Sequence, residues 1–243
     1  MGLFITFVLG LFFLLGAFFV RFQKHTKTIE ILSISIALGT MSALVIFDLI
    51  PEMLEHMEGI SFLWVALLIL LGIVILKGLD FFVPDHDDHE APHHCSEENL
   101  VHIGIVSLIA IVLHNIIEGM SVYSLAVESF KTGLFIALGV GLHNIPMGMV
   151  IATTMEHEKK SHQILAYTLA VLSTFVGGLL MLLIHSIIND FVIGILICIT
   201  LGMILYIVLF ELIPHVIHAK NKKMALIGFL IGIGIILIST FLE

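Results

Sequence analysis

An all-α integral membrane protein with eight transmembrane helices is the fold this sequence predicts, and three observations lead to it. Hydrophobic residues make up 59% of the 243-residue chain and charged residues only 12%, where a soluble globule carries about 25% charged residues. Mean hydropathy is +1.17. Eight apolar runs, near 3–20, 29–50, 61–79, 101–126, 133–155, 163–187, 191–214 and 224–241, each approach the roughly 20 residues that a helix needs to cross the hydrocarbon core. Together they predict a single transmembrane domain over 1–243.

The first run, "MGLFITFVLGLFFLLGAFFV", lacks the basic leading region and small-residue cleavage site of a signal peptide, so it reads as a retained helix. Gly2 fits a loose myristoylation pattern but opens a span, which leaves that pattern little weight. The second run closes on "DLIPE" (48–52) and the third on Lys77. Residues 80–99, "DFFVPDHDDHEAPHHCSEEN", then form a polar loop with two prolines and no apolar period. Its His86, His89, His93, His94 and Cys95, set among acidic neighbours, suit either a tract that catches borderline metals or a solvated linker. Cys95 lies in this loop and Cys198 in an apolar run, so no disulfide between them is expected. The fourth and fifth runs carry "LHNIIEGM" (113–120) and "LHNIPMGM" (142–149). The sixth, "LAVLSTFVGGLLMLL", has no acidic residue, and the seventh closes on "ELIPH" (211–215).

Basic residues set the orientation, because cytoplasmic loops collect Lys and Arg. Arg21, Lys24, Lys27, Lys77, Lys159, Lys160, Lys220, Lys222 and Lys223 share one side of an eight-span chain, and Lys131 alone takes the other. Both termini are therefore expected outside the cell, in the cell membrane. The paired words in spans 4 and 5, and in spans 2 and 7, run in opposite directions across the bilayer. They predict a 3+2+3 inverted repeat, an architecture that many secondary transporters build around a mid-membrane site.

The chemistry sits in the fourth and fifth spans. Residues four apart share a helix face, so His114 and Glu118 offer an imidazole and a carboxylate to one point, and His143 and Met147 stand in the same relation. Asn115 and Asn144 are turned about 100° away, within reach as side ligands or hydrogen-bond partners. Pro146 donates no backbone hydrogen bond and frees the carbonyl of Leu142. Ionisable groups inside a membrane are functional by default. Two imidazoles, a carboxylate and amides suit Zn²⁺, with Fe²⁺, Mn²⁺ or Cd²⁺ as alternatives.

The whole chain resembles the ZIP (Zrt/Irt-like) metal transporters, through the HNxPEG-like words of spans 4 and 5, the His-rich loop after span 3, and "DLIPE" and "ELIPH". The resemblance implies inward carriage of a divalent metal, with His114, Asn115, Glu118, His143 and Asn144 at metal-binding positions and Glu211 near the cytoplasmic exit. It also implies helices 1, 4, 5 and 6 moving against 2, 3, 7 and 8, and a homodimer. Three positions depart from the pattern. Ile117 replaces the fourth-span proline, Met147 stands in place of the usual fifth-span glutamate, and Gly177 falls near an acidic position of the sixth span. A single ion held mainly by His114, Glu118 and His143 follows as the expectation, with no prosthetic group.

Other functions fit less well. Ten Lys and Arg without a basic stripe offer no nucleic-acid surface, and the absence of a GxxxxGK[ST] word argues against ATP-driven pumping by this chain. An intramembrane metallohydrolase would need a further acid or base at the same depth. A membrane metal sensor would need an output domain. The acidic cluster Asp48, Glu52, Glu55 and Glu58 at the outer end of span 2 suits either cation recruitment or an ordinary interface.

Overall fold

The computed structural model describes residues 1–22, 27–81, 97–128, 130–156, 158–184 and 189–241. Among them are eight helices long and apolar enough to cross a membrane, and no strand. In chain order these are α1 (Gly2–Phe22), α2 (Lys27–His56), α3 (Phe62–Asp80), α4 (Glu97–Glu128), α5 (Phe130–Thr154), α6 (Lys160–Ile184), α7 (Phe191–His218) and α8 (Lys222–Thr240). The all-helical, eight-span reading of the sequence holds. One boundary moves: α4 begins at Glu97, inside the stretch assigned to the 80–99 loop. His86, His89, His93, His94 and Cys95 lie outside the described residues.

At least half of α2, α4, α5 and α7 is buried, whereas most of α1, α3, α6 and α8 faces outward. The outward faces carry exposed Phe4, Leu63, Trp64 and Leu183, as a lipid-facing surface should. The chain's two ends define one face of the bundle, the upper face. There Gly2 packs against Tyr123 of α4, and Met57 at the end of α2 packs against Gly194 of α7. At the lower face Arg21 lines a cavity with Glu156, Gln163 and Tyr167, and His215 of α7 lies 3.7 Å from Glu30 of α2.

Glycine determines which helices touch. Lipid tails are as apolar as leucine, so helices in a bilayer associate through close packing at small residues rather than through hydrophobic burial. Four helix pairs meet through reciprocal glycines. A Cβ on Gly16 would lie 2.0 Å from the Ile145 carbonyl oxygen, and one on Gly148 2.1 Å from that of Phe13, so α1 docks on α5. Gly119 and Thr174, with Gly177 and Ile116, dock α4 on α6 in the same way. Gly39 and Phe229, with Gly232 and Ile36, join α2 to α8; Gly72 and Ile199, with Gly202 and Ile69, join α3 to α7. In each pair the glycine of one helix sits on a carbonyl of the other, a geometry suited to Cα–H···O contacts.

Further close contacts stay within the same groupings. Gly10 meets the Val171 carbonyl of α6, and Thr174 Oγ1 donates to the Thr6 carbonyl of α1 at 3.0 Å. Helices 1, 4, 5 and 6 thus form one set and helices 2, 3, 7 and 8 another, and none of these glycine contacts joins the two. Between the sets lie side chains instead, among them Met41 of α2 and Met147 and Ile151 of α5, all fully buried.

Two π-turns interrupt the second set. In α2 the segment Val45–Leu49 is π-helical, with the Ile50 N–H reaching back five residues to the Val45 carbonyl. In α7 the segment Ile207–Leu212 does the same, with Ile213 N–H bonded to Val208. Each is followed at once by a proline, Pro51 or Pro214, which donates no N–H to the turn before it. In α5, by contrast, Pro146 sits inside one continuous helix.

The glycine contacts make a direct prediction. Gly232→Val should lower the stability of the detergent-solubilised protein by about 1–3 kcal/mol. Gly234→Val, two residues along the same helix with nothing within 4 Å of the new Cβ, should be neutral or slightly stabilising. Thermal unfolding followed by circular dichroism separates the two variants.

Candidate metal centre

The fourth and fifth helices bring three ligand-bearing side chains to one point. His114 and Glu118 lie one turn apart on α4, and His143 faces them from α5. Their ligand atoms all fall within 4.8 Å of one another. His143 Nε2 lies 2.6 Å from Glu118 Oε1, and His114 Nε2 lies 3.5 Å from the same oxygen. The two rings are 6.0 Å apart at their centroids and inclined by 45°. Burial is nearly complete: the side chains of His114, His143 and Glu118 are 5%, 2% and 8% exposed.

The donor set and its spacing suit a small divalent ion. A tetrahedral ion at ordinary Zn–N and Zn–O distances holds its ligands about 3.4 Å apart. The His114–Glu118 separation of 3.5 Å already matches that edge, and the Glu118–His143 contact of 2.6 Å would open by about 0.8 Å to admit the ion. His114 Nε2 and Glu118 Oε2 are both buried without a hydrogen-bond partner. Buried polar atoms are rarely left so, and here both belong to one cluster.

Both asparagines carry buried amide oxygens without a hydrogen-bond partner. Asn115 Nδ2 donates to Ser173 Oγ of α6 at 3.1 Å, and that hydroxyl donates to the Ala170 carbonyl at 2.7 Å. The arrangement fixes which end of the amide is which and leaves Asn115 Oδ1 buried without a partner. Asn144 is fully buried with neither amide atom bonded. Sequence reasoning singled out Gly177 on α6, but Gly177 abuts the Ile116 backbone; the side chain that reaches Asn115 is Ser173. Nothing in a lone helical serine marks it for that role.

Met147, one turn below His143, is 1% exposed and packs in the main core cluster with Ile111 and Ile151. Glu211 lies in the π-turn of α7 and is half-buried. It is not one of the three residues that cluster within 4.8 Å.

Access to the centre comes from the upper face. A cavity of about 290 Å³ is lined by His114, Glu118 and Ser121 of α4, by Asp48, Glu52 and Glu55 of α2, and by Ile197 and Thr200 of α7. A second cavity, of about 430 Å³, shares Glu52, Glu55 and Ser121 and continues to His56 and Ser124. On the lower side Ile111, Met147 and Ile151 are fully buried and close the floor.

Comparison with known proteins agrees with this geometry. Residues 83–240 match the family model described as ZIP zinc transporter. The chain is similar over its full length to the zinc transporter ZupT of Clostridium perfringens, 23% identical over 273 residues that span 100% of this chain and 95% of the relative. The zinc transporter ZupT of Chlorobium luteolum is 28% identical over 262 residues, 99% of this chain and 97% of that protein. The probable zinc transporter zip2 of Schizosaccharomyces pombe is 30% identical over 154 residues, 58% of this chain and 38% of that one. An eight-span helical bundle, a buried His–Glu–His cluster and full-length similarity to such carriers converge on one conclusion: this chain belongs to the ZIP zinc transporter family.

Proposed function

We propose that the protein carries a divalent metal ion, Zn²⁺ foremost, into the cytoplasm through the centre formed by His114, Glu118 and His143. The observation that carries this reading is the buried triad at the foot of a cavity with an acidic mouth. Neither histidine nor glutamate is cheap to bury in a bilayer, and an ion that takes all three as ligands removes the cost of each. Zinc favours this mixture of nitrogen and oxygen donors; Fe²⁺, Mn²⁺ and Cd²⁺ are the competing cargoes.

The inward direction rests on charge. Arg21, Lys27, Lys77, Lys159, Lys160, Lys220, Lys222 and Lys223 all sit at the lower ends of their helices, which makes that face cytoplasmic and puts both termini, and the open cavity, outside the cell. Two positive charges moving inward across about 100 mV gain about 4.6 kcal/mol, so no nucleotide is required. Asn115 and Asn144 turn amide oxygens toward the passing ion, Met147 forms the floor beneath it, and Glu211 receives it further down. The loop histidines His86, His89, His93 and His94, with Cys95, take up released metal on the cytoplasmic side.

The glycine contacts favour the mechanism. Exchanging α1 with α6, α2 with α7, α3 with α8 and α4 with α5 turns the α1–α5 pair into α6–α4, and the α2–α8 pair into α7–α3. The four reciprocal glycine contacts obey that exchange, as do the two π-turns, which supports a 3+2+3 inverted repeat. The same contacts tie α1, α4, α5 and α6 into one body that carries the triad and moves against the other four helices. The unit in the cell membrane is a homodimer, an assignment that rests on the family resemblance.

Uptake of Zn²⁺ into proteoliposomes tests the reading. His114→Ala and Glu118→Gln should each reduce uptake at least about tenfold while the protein stays monodisperse; uptake at the wild-type rate in both would remove the site. Ser173→Ala, which releases the Asn115 amide, should weaken Zn²⁺ affinity roughly tenfold, measured by calorimetry on the purified chain. An unchanged affinity would make the Asn115–Ser173 contact purely structural.

A further inference from the structure

The triad leaves a charge imbalance. Two neutral imidazoles and one carboxylate balance only half of a doubly charged ion, and Met147, where a second acid would complete the set, is neutral and buried. A net charge held in an apolar interior is strongly disfavoured. The site therefore calls for another anion, and the cavity supplies candidates from a different helix.

Asp48, Glu52 and Glu55 of α2 line the same cavity as His114 and Glu118. They follow one flank of the helix, while Leu49, Met53 and Met57 fill the core on the next. Asp48, Glu52 and Glu55 are spaced four and three residues apart, which keeps them on one flank of the helix. Asp48 is the deepest of the three acids and is half-buried, and it lines the same cavity as His114 and Glu118. From α7, Thr200 reaches the same cavity; it is 1% exposed and its hydroxyl has no hydrogen-bond partner. Two polar groups on the 2, 3, 7, 8 set thus face a metal centre carried by the 1, 4, 5, 6 set.

We propose that Asp48 is the second carboxylate ligand of the transported ion, with the Thr200 hydroxyl beside it to bond the ion's remaining water. The inference rests on the site proposed above. Asp48 is not among the three groups that lie within 4.8 Å of one another, so it engages by a small closure of α2 or through one bridging water. The complete shell then spans the seam between the two helix sets. The ion is neutralised only while the sets are in this register, and carrying it downward requires Asp48 to release it. Asp48 is in this way a capture ligand, bound at loading and left behind on transport.

Zn²⁺ uptake by the full chain in proteoliposomes separates this from general attraction by an acidic mouth. Asp48→Asn should raise KM for Zn²⁺ by about tenfold or more, the loss typical of a metal-site group, and Asp48→Glu should restore part of it. Because ligation is a contact effect, the rise should persist in about 0.5 M NaCl, where exposed charges are screened within a few ångströms. Glu52→Gln, which only thins the field of the mouth, should shift KM less and lose its effect in salt. A KM for Asp48→Asn within about twofold of wild type, well short of the loss expected for a ligand, overturns the proposal, as does a rise that salt abolishes. If either acid variant expresses poorly, Zn²⁺ binding to the purified wild-type chain decides: displacement of one carboxylate stretching band signals Glu118 alone, and two signal Asp48 as well. Should His114→Ala and Glu118→Gln transport normally, the underlying site fails; if they fail to transport while Asp48→Asn keeps its KM, only the present inference does.

Discussion

A carboxylate and two imidazoles in the dry centre of a helical bundle must be satisfied by one another or by a guest, and most of this molecule serves that requirement. Glu118 and His143 meet part of the demand by a close approach, 2.6 Å between Oε1 and Nε2. His114 Nε2 and the second oxygen of Glu118 do not meet it at all. Among the described residues the neighbours on the lower side include Ile111, Met147 and Ile151, which offer no side-chain oxygen or nitrogen, and the route upward leads into a cavity with an acidic lining.

Holding such a cluster together needs a frame that does not relax around it. In water the hydrophobic effect would supply one; in lipid it does not, and glycine takes its place. Each reciprocal contact lets two backbones approach until carbonyl oxygens rest on Cα atoms, so helices within a set are fixed in register to a fraction of a turn. His114 and Glu118 inherit their position from the contacts of Gly119 with Thr174 of α6 and of Gly177 of α6 with Ile116, and His143 inherits its own from that of Gly148 with α1. The triad and the packing are adjacent words of one short sequence: "HNIIEG" carries an imidazole, an amide, a carboxylate and the docking glycine in six residues.

Much of this could be read before any coordinates. Eight spans follow from apolar run length, and the pairing of His114 with Glu118 follows from the helical repeat. The approach of His143 could be anticipated because its own word repeats the first. What stayed hidden depends on which helix faces which. Ser173 looks like any helical serine until α6 is docked against Asn115. Asp48 looks interfacial, because its place beside the triad requires the approach of α2 to α4. The start of α4 at Glu97 lies before the point where the apolar run begins, so apolar run length alone does not mark it. Local periodicity is written along the chain; partner choice among equally greasy helices is written in glycines whose counterparts lie a hundred residues away.

The seam between the two helix sets is of another material. Where glycine against carbonyl permits a single fit, Met41 of α2 and Met147 of α5 fill the main core cluster with unbranched, rotatable thioethers that repack at little cost. Such a joint can slide without leaving voids, as a lubricated bearing does. The same softness is a chemical liability. Oxidising either sulfur to its sulfoxide would set a polar, chiral group in that buried cluster.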